Sequence, residues 1–377
     1  IGYIAGPFGA IFFGHIGDRK GRKVTMYASL LMMGISTSII GILPPAASAG
    51  VGVVIVLQLM RLAQCFGRGG TWGGGILMAY ENVPENKRSF YAAIPQIGLP
   101  IGFGLSSILI AVPTLLLPED IFFTWGWRIP FLAAIILTLI VIRQKGEMME
   151  TEDYKKAQAK LEAEEAEGKK HKVGFIPMVK GYWKTLLLGC GTRWVDGTFY
   201  NIFIVWILSY CINWLGMPLI QTYIITIIAC IFKIPFTLFG GWCAQKLGNT
   251  RTFVIGALAS AVLSIPTLKV IELSKGNLAI TIIGIVLGWS IAYNLIWAVI
   301  SSLWSSYFET EVRYSGISFV YHVPSFLVAG MVPTICTLLI NYGKGDTIYV
   351  GIYSTVVALI SAACALALKA RHDRGEK

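Results

Sequence analysis

Long apolar segments alternate with short polar connections along the whole chain. A helix needs about 20 consecutive apolar residues to cross a bilayer. The segments that approach or exceed this length are Ile1–Ile16, Val24–Leu43, Val51–Ala79, Ser89–Val112, Trp127–Ile142, Trp183–Leu215, Leu219–Trp242, Thr252–Val270, Leu278–Tyr307, Tyr314–Ile340 and Thr347–Leu368. A charged stretch, 143–180, separates the first five from the last six. The pattern predicts an all-α, multi-pass integral membrane protein.

Composition and charge fit this class. Of the 377 residues, 55% are hydrophobic and only 14% are charged, whereas about a quarter are charged in soluble proteins. A net charge of +11 suits a nucleic-acid partner, but here the cations lie in the connections between spans. Most of the 31 Lys and Arg fall on the side of the first connection, near Arg22, so that side and the C-terminus are predicted to be cytoplasmic. The expected partner is therefore a lipid bilayer and not a nucleic acid.

The sequence lacks the signatures of a membrane-embedded enzyme. It contains no H-E-x-x-H and no G-x-S-x-G motif, and its seven cysteines form no C-x-x-C pair. Most of the cysteines fall inside apolar segments, where cysteine acts as a small packing residue. We predict no enzymatic activity, no cofactor and no metal site.

The connection Gly14–Met26, here called the signature loop, carries the most specific pattern. It reads G-x-I-G-D-R-x-G-R-K-x-x-M, with glycines that let two helix ends approach and one acid, Asp18, among several cations. An ordinary cytoplasmic loop would explain the cations but not the spacing of the glycines and the aspartate. The pattern resembles the signature loop between helices 2 and 3 of the major facilitator superfamily.

The resemblance implies a fold of two six-helix bundles. Residues 1–142 would form the N-terminal bundle with helices 2–6, residues 143–182 a cytoplasmic central loop, and residues 183–377 the C-terminal bundle with helices 7–12. Eleven of the twelve helices are then present, helix 1 is missing, and we expect the sequence to be truncated. The central loop, with charges of both signs, is expected to form a solvated helix that tethers the bundles.

A weaker copy of the signature loop occurs in the second half. Gly241–Arg251, here called the second loop, keeps the glycine spacing and a basic position but has Gln245 where the signature loop has Asp18. Duplicated halves are typical of this transporter architecture. The signature loop is therefore expected to carry more of the gating electrostatics.

Further stretches resemble one branch, the metabolite:proton symporter family, which includes shikimate, α-ketoglutarate, citrate and osmolyte carriers. They are Arg61–Gly67 with Gly69–Gly74, Glu81–Pro84 with Lys87 and Arg88, Trp125–Leu132, and Phe308–Gly316. The chain departs from the family at Thr71, where an acid is usual, and at Glu150–Tyr154, which lacks the proline of the corresponding motif. The resemblance implies a secondary transporter that works by alternating access.

Ionisable side chains inside a span are costly unless they face a cavity or a partner, so each is a candidate for substrate or proton binding. Arg61 lies near mid-membrane and matches the family's helix-4 arginine; its alternative role is a structural ion pair. Arg193 and Asp196 share a helical face, so a self-satisfied local pair is the alternative to proton transfer at Asp196. Lys233 is expected either to contact a substrate carboxylate or to extend to the interface as an anchor.

Three weaker candidates complete the substrate and proton set, and hydrogen-bonded packing is the alternative role for each. They are His322, Tyr200 and Asn294. We further expect Arg61, Arg193, Asp196 and Lys233 to face one central cavity, because a single lipid-facing charge costs at least about 2.5–3.5 kcal/mol.

The gating candidates are Gly14, Asp18, Arg19, Gly21, Arg22 and Glu81. Asp18 is predicted to lie at the N-terminus of the helix that begins near Tyr314–Gly316, where free N–H groups and the helix dipole favour a carboxylate. In terms of the family, this contact is a latch between the two halves. Arg22 is predicted to pair with Glu81 at the cytoplasmic end of its span.

The expected function is secondary active transport of a small organic acid or polar metabolite with protons, by a monomer in the plasma membrane. The cations inside the spans outnumber Asp196, which favours a carboxylated substrate. The alternatives are a proton-independent facilitator, an osmolyte carrier and a non-functional truncated fragment.

Overall fold

The computed structural model describes residues 2–45, 50–144, 150–166 and 175–376. Within these ranges the secondary structure is helical and contains no strand. The helices are α1 (Gly2–Lys20), α2 (Arg22–Ile42), α3 (Val51–Glu81), α4 (Arg88–Ala93), α5 (Gly98–Leu116), α6 (Glu119–Thr124), α7 (Ile129–Arg143), α8 (Glu152–Ala166), α9 (Phe175–Tyr200), α10 (Ile207–Asn213), α11 (Leu219–Leu247), α12 (Asn249–Leu273), α13 (Leu278–Ile285), α14 (Asn294–Ser305), α15 (Arg313–His322), α16 (Val332–Tyr342) and α17 (Ile348–Asp373).

Ten helical segments in the described ranges are long and apolar enough to cross a membrane. They are Arg22–Ile42, Val51–Glu81, Glu85–Leu116, Gly126–Arg143, Met178–Asn213, Leu219–Leu247, Asn249–Leu273, Leu278–Ser305, Arg313–Tyr342 and Ile348–Asp373. The remaining predicted segment, Ile1–Ile16, falls largely within the 19-residue helix α1, which is outside this set. The prediction of an all-α membrane protein is confirmed.

A glycine sets the turn in each of the two related loops. Gly21 has φ 102° and ψ 157° between α1 and α2, and Gly248 has φ 89° and ψ 152° between α11 and α12. This backbone region is open essentially only to glycine. The glycine spacing seen in the sequence therefore corresponds to a shared backbone conformation.

Residue contacts divide the chain into two compact units. Unit 1 consists of Ile1–Asn82, Ile108–Lys180 and Phe308–Val323, and unit 2 of Val83–Ser107, Gly181–Tyr307 and Pro324–Lys377. Within unit 1, α15 packs on α1 and α3; within unit 2, α4 packs on α11 and α14. The division into bundles 1–142 and 183–377 with a central loop at 143–182 stays a prediction.

Unit 2 has spans with local π-helical turns. These turns, among the described residues, are Asn201–Trp206, Val286–Ala292 and Phe326–Gly330. A π-helical turn interrupts the regular hydrogen-bond ladder and frequently occurs at a functional site. Two of the three lie beside candidate residues: Tyr200 directly precedes the first turn, and Asn294 is the second residue after the second turn.

Residues Glu152–Ala166 of the central loop form the helix α8, as predicted. At its first turn Lys155 Nζ lies 2.8 Å from Glu152 Oε1, and this hydrogen bond lowers the pKa of Glu152. Both side chains are largely exposed, so the ion pair adds little stability. The residues around this first turn make other contacts that the prediction of a simple tether did not include.

Candidate transport and gating sites

A buried ionic cluster in unit 1 surrounds the signature loop; it consists of Asp18, Arg22, Glu81 and Arg313 and is called the gate cluster below. The Asp18 carboxylate accepts hydrogen bonds from the N–H groups of Tyr314 at 3.2 Å and Ser315 at 3.0 Å. These residues open α15, so the predicted placement of Asp18 at this helix N-terminus is confirmed. Free N–H groups and the helix dipole both favour the carboxylate there.

Arg22 joins the two carboxylates of the gate cluster. Its Nη1 lies 3.2 Å from Asp18 Oδ1 and its Nε 3.5 Å from Glu81 Oε2, which confirms the predicted contact with Glu81. Arg313 Nη1 lies 3.0 Å from the other oxygen of Glu81. Asp18, Arg22 and Glu81 are buried, so removing one of them leaves an uncompensated charge out of water.

The start of the central loop holds the signature loop in place, and sequence reasoning missed this contact. Glu150 accepts hydrogen bonds from the N–H groups of Arg22 at 2.9 Å and Lys23 at 3.2 Å, so it caps α2 from 128 residues away. Thr151 Oγ1 donates to Glu81 Oε2 at 2.6 Å. The segment therefore makes specific contacts in addition to the predicted tether. The available signal was the family motif at 150–154.

Tyr154 provides a further contact from α8. Its hydroxyl donates to the carbonyl oxygen of Arg19 at 2.9 Å, and its ring centroid lies 4.9 Å from the Arg22 guanidinium carbon. Burial raises the pKa of Tyr154, so the hydroxyl keeps the proton that it donates. The side chain of Arg19, predicted to act in gating, is exposed.

The two gating glycines lie where helices or side chains approach closely. A Cβ on Gly14 would lie 3.0 Å from the Cα of Ser315, so glycine permits the packing of α1 on α15. A Cβ on Gly21 would overlap Glu150 Oε2, inside the space of the carboxylate that caps α2. Both positions thus depend on the absence of a side chain.

Arg193 and Asp196 form a buried ion pair within α9 of unit 2. The two residues lie on one helix, as the alternative of a self-satisfied local pair requires. The pair nevertheless has a further partner. The Tyr293 hydroxyl donates to the second carboxylate oxygen of Asp196 from another span. The Tyr293 ring also stacks on Phe199, with centroids 6.1 Å apart and an interplanar angle of 9°.

Lys233 is fully buried in unit 2, so the interfacial-anchor alternative was wrong. Its Nζ lies 4.4 Å from the ring centroids of both Trp289 and Tyr293, and 6.0 Å from that of Trp297. Its described hydrogen bond, to the carbonyl oxygen of Trp289, is long at 3.4 Å. Sequence reasoning missed both tryptophans, although the W-x-x-x-Y-x-x-x-W spacing places all three rings on one helical face.

Two weaker candidates lie in the same unit. Asn294 donates to the carbonyl oxygen of Lys233 at 2.8 Å and accepts a hydrogen bond from Thr237 at 3.1 Å, so its amide supports the helix that carries Lys233. The Tyr200 ring packs edge-on against Phe103 with centroids 5.8 Å apart.

Arg61 and His322 belong to unit 1. The Arg61 side chain is exposed; it donates to Gln64 Oε1 at 3.4 Å, and its guanidinium carbon lies 5.9 Å from the Phe131 ring centroid. His322 is buried and packs edge-on against Tyr321 at 4.8 Å. Because Arg61 and Lys233 belong to different units, a cavity common to the four charged residues stays a prediction.

Within the described ranges, no group of three or more His, Cys, Asp or Glu is arranged to hold a metal ion.

Comparison with known proteins places this geometry in a family. The sequence profile of the Major Facilitator Superfamily matches residues 1–333. The Inner membrane metabolite transport protein YhjE of Escherichia coli is 33% identical over 380 residues, which cover 99% of this chain and 83% of that protein. The Shikimate transporter of Escherichia coli is 31% identical over 376 residues, covering 98% and 83%. The Proline/betaine transporter of Salmonella typhimurium is 27% identical over 374 residues, covering 99% and 74%.

A solved structure gives the same fold. The proton:xylose symporter XylE, bound to 6-bromo-6-deoxy-D-glucose, superposes with a TM-score of 0.75 over 97% of this chain and 83% of that chain. The sequence identity is 15%, so this likeness concerns the fold. The chain therefore belongs to the Major Facilitator Superfamily and is a multi-pass membrane transporter rather than an enzyme.

Proposed function

We propose that the protein takes up a small carboxylated metabolite together with protons, as a monomer in the plasma membrane with its C-terminus on the cytoplasmic side. The observation that carries this proposal is the buried charge of unit 2. Arg193 and Lys233 supply two buried cations, and Asp196 supplies one carboxylate, which pairs with Arg193. An anionic substrate would balance this excess of positive charge.

Asp196 is the residue through which a proton and a substrate would be coupled. The carboxylate now accepts the Arg193 guanidinium and the Tyr293 hydroxyl. A proton on Asp196 would remove its charge and weaken the attraction to Arg193. A substrate carboxylate could then take the place of Asp196 at the guanidinium, with the bidentate geometry that arginine offers. Proton and anion would thus bind together more favourably than either alone.

The gate cluster would couple this site to alternating access. Asp18 binds the first turn of α15, while Glu150 and Thr151 bind the signature loop and Glu81. These contacts would form or break together, because both buried carboxylates, Asp18 and Glu81, contact Arg22. We infer that the cluster closes the cytoplasmic side when intact and separates when that side opens.

The names of similar proteins favour two substrate classes. The shikimate transporter points to an organic acid, whereas the proline/betaine transporter points to a zwitterionic osmolyte. The uncompensated ammonium of Lys233 favours the acid. A proton-independent facilitator remains the alternative mechanism.

The experiment is uptake of radiolabelled organic acids and osmolytes into proteoliposomes, with and without an inward proton gradient. We expect accumulation of an organic acid that stops when an uncoupler is added. Asp196→Asn should abolish gradient-driven accumulation but retain exchange of substrate across the membrane. The matched control is Asp346→Asn, which removes a carboxylate 2.7 Å from Lys269 in the same unit but outside the spans. Uptake that ignores the gradient, or an Asp196→Asn protein that still accumulates substrate, would contradict proton coupling.

A further inference from the structure

The environment of Lys233 is an aromatic cage rather than an ion pair. Three rings from one face of neighbouring turns, Trp289, Tyr293 and Trp297, lie within 6.0 Å of its Nζ. Within the described ranges, Lys233 forms no ion pair with an Asp or Glu. The faces of aromatic rings attract cations, and two or more rings around one cation form the arrangement that recognises quaternary ammonium groups.

Two rings of the cage, those of Trp297 and Tyr293, are held in place by contacts outside it. Trp297 Nε1 donates to the carbonyl oxygen of Gln96 at 3.0 Å, and the Gln96 amide donates to the carbonyl oxygen of Trp297 at 3.0 Å. The hydroxyl of Tyr293 donates to Asp196. The positions of Trp297 and Tyr293 therefore do not depend on the ammonium of Lys233 alone.

Two donors of the cage, on Trp289 and Lys233, are poorly supplied with acceptors. The indole N–H of Trp289 is buried and has no hydrogen-bond partner among the described residues. The ammonium of Lys233 has three N–H donors and one long described hydrogen bond, to the carbonyl oxygen of Trp289. A second cation would meet like charge and unpaired donors here, whereas an anion would meet complementary groups.

We propose that Lys233 is a tethered cation that occupies the Trp289–Tyr293–Trp297 cage and thereby sets the charge selectivity of the transporter. The occupied cage excludes quaternary ammonium groups. Removing the lysine side chain opens a site for such a group. The inference rests on the proposed function in that the cage belongs to the substrate path, but its test measures ligand binding and not transport.

The test uses the purified full chain in detergent, with tetramethylammonium as the probe and thermal unfolding and tryptophan fluorescence as readouts. The wild-type protein should show no saturable response. Lys233→Ala should bind the probe saturably, at least about tenfold more tightly than the limit that the wild-type titration sets, because cation–π contacts are strongest when the cation is desolvated. The probe should also restore part of the thermal stability that Lys233→Ala loses.

Two controls separate the cage from general packing. Lys233→Met fills the cage with an apolar chain and should gain no probe binding, and Lys233→Ala/Trp289→Ala should lose the gain. A wild-type protein stabilised by tetramethylammonium would overturn the proposal without any variant. So would a folded Lys233→Ala protein without a gain, or a double variant that keeps it. If Lys233→Ala does not fold, Lys233→Ser serves as the second cage-opening variant with the same expected gain.

The experiments distinguish failure of the cage proposal from failure of the proposed transport function. A protein without proton-linked uptake can still show cage opening in the binding assay. A protein with proton-linked uptake of an organic acid but no cage opening would leave transport intact and remove Lys233 as its selectivity determinant.

Discussion

The signature loop and the second loop occupy equivalent positions in the two halves of the sequence, and each brings a polar side chain to the first turn of another helix. Asp18 accepts the N–H groups of Tyr314 and Ser315 at the start of α15. Gln245, at the equivalent position, accepts the N–H of Phe90 in α4 at 3.3 Å. The two loops therefore share a capping contact but not its charge.

The contrast continues through the rest of each loop. Arg22 is fully buried and pairs with two carboxylates, whereas Asn249 at the equivalent position accepts a hydrogen bond from Ser302 at 3.0 Å. The turn glycines, Gly21 and Gly248, have nearly the same backbone angles. The two loops thus share the backbone conformation of the turn but not the charged contacts. Removing one partner of a buried ion pair is strongly destabilising, whereas losing one neutral hydrogen bond costs about 1 kcal/mol, so the two loops should differ most where a charge is removed.

The largest difference is expected between Arg22→Met and Asn249→Ala. Without Arg22, the carboxylates of Asp18 and Glu81 lose a buried partner, at a cost of about 3–5 kcal/mol. Asn249→Ala removes one hydrogen bond, worth about 1 kcal/mol. Denaturant unfolding in detergent measures both. Equal losses of unfolding free energy would show that the difference in charge between the two loops does not affect stability.

Gly21→Ala should be more harmful than Gly248→Ala. Both variants strain a glycine-only backbone region, at about 1–3 kcal/mol, but only at Gly21 does the new Cβ meet another group, Glu150 Oε2. At Gly248 the new Cβ would meet no other group within 4 Å among the described residues. We expect Gly21→Ala to cost about 1 kcal/mol more, the value of the lost cap.

A double-mutant cycle tests the cause of that difference. In a Glu150→Ala background the two glycine variants should become equally destabilising, because no carboxylate remains to be displaced. If the two glycine variants still differ in stability in this background, the cause of the difference is not Glu150.

Asp18→Asn is expected to shift the balance between closed and open cytoplasmic states, whereas Gln245→Ala is not. Asn keeps the size of the side chain but loses its charge, and a carboxylate at a partly buried helix N-terminus contributes up to about 2 kcal/mol. The measurement is the labelling rate of a cysteine introduced at Ser315, which should rise roughly tenfold in Asp18→Asn. An equal rise in Gln245→Ala would remove the distinction between the loops.

The smallest effects should be equal in the two loops. Tyr154→Phe removes the hydrogen bond to the Arg19 carbonyl, and Tyr307→Phe removes the one with Thr250 at 2.9 Å. Each loss is worth about 1 kcal/mol in thermal or denaturant unfolding. If these two tyrosine variants lose equal stability while the Arg22 and Asp18 variants differ from their counterparts, the difference between the loops is due to charge.

Much of the fold was predictable because hydropathy is a local property. Segment length and the distribution of Lys and Arg depend on the chain's own residues and the bilayer, not on long-range packing. The signature pattern added two specific contacts, Asp18 with the start of α15 and Arg22 with Glu81, and both are confirmed. Gly21 and Gly248 likewise mark turns whose backbone angles follow from having no Cβ.

Other contacts were decided by tertiary structure. Glu150 caps α2 across 128 residues, and nothing in its own neighbourhood in the sequence specifies that partner. The spacing of Trp289, Tyr293 and Trp297 was visible, but the cage exists only because α11 places Lys233 against those rings. The sequence alone thus determined which residues lie in membrane, loop or turn, since those are properties of single segments. Which buried charge meets which partner was decided by packing, because that energy depends on distances between segments far apart in the chain.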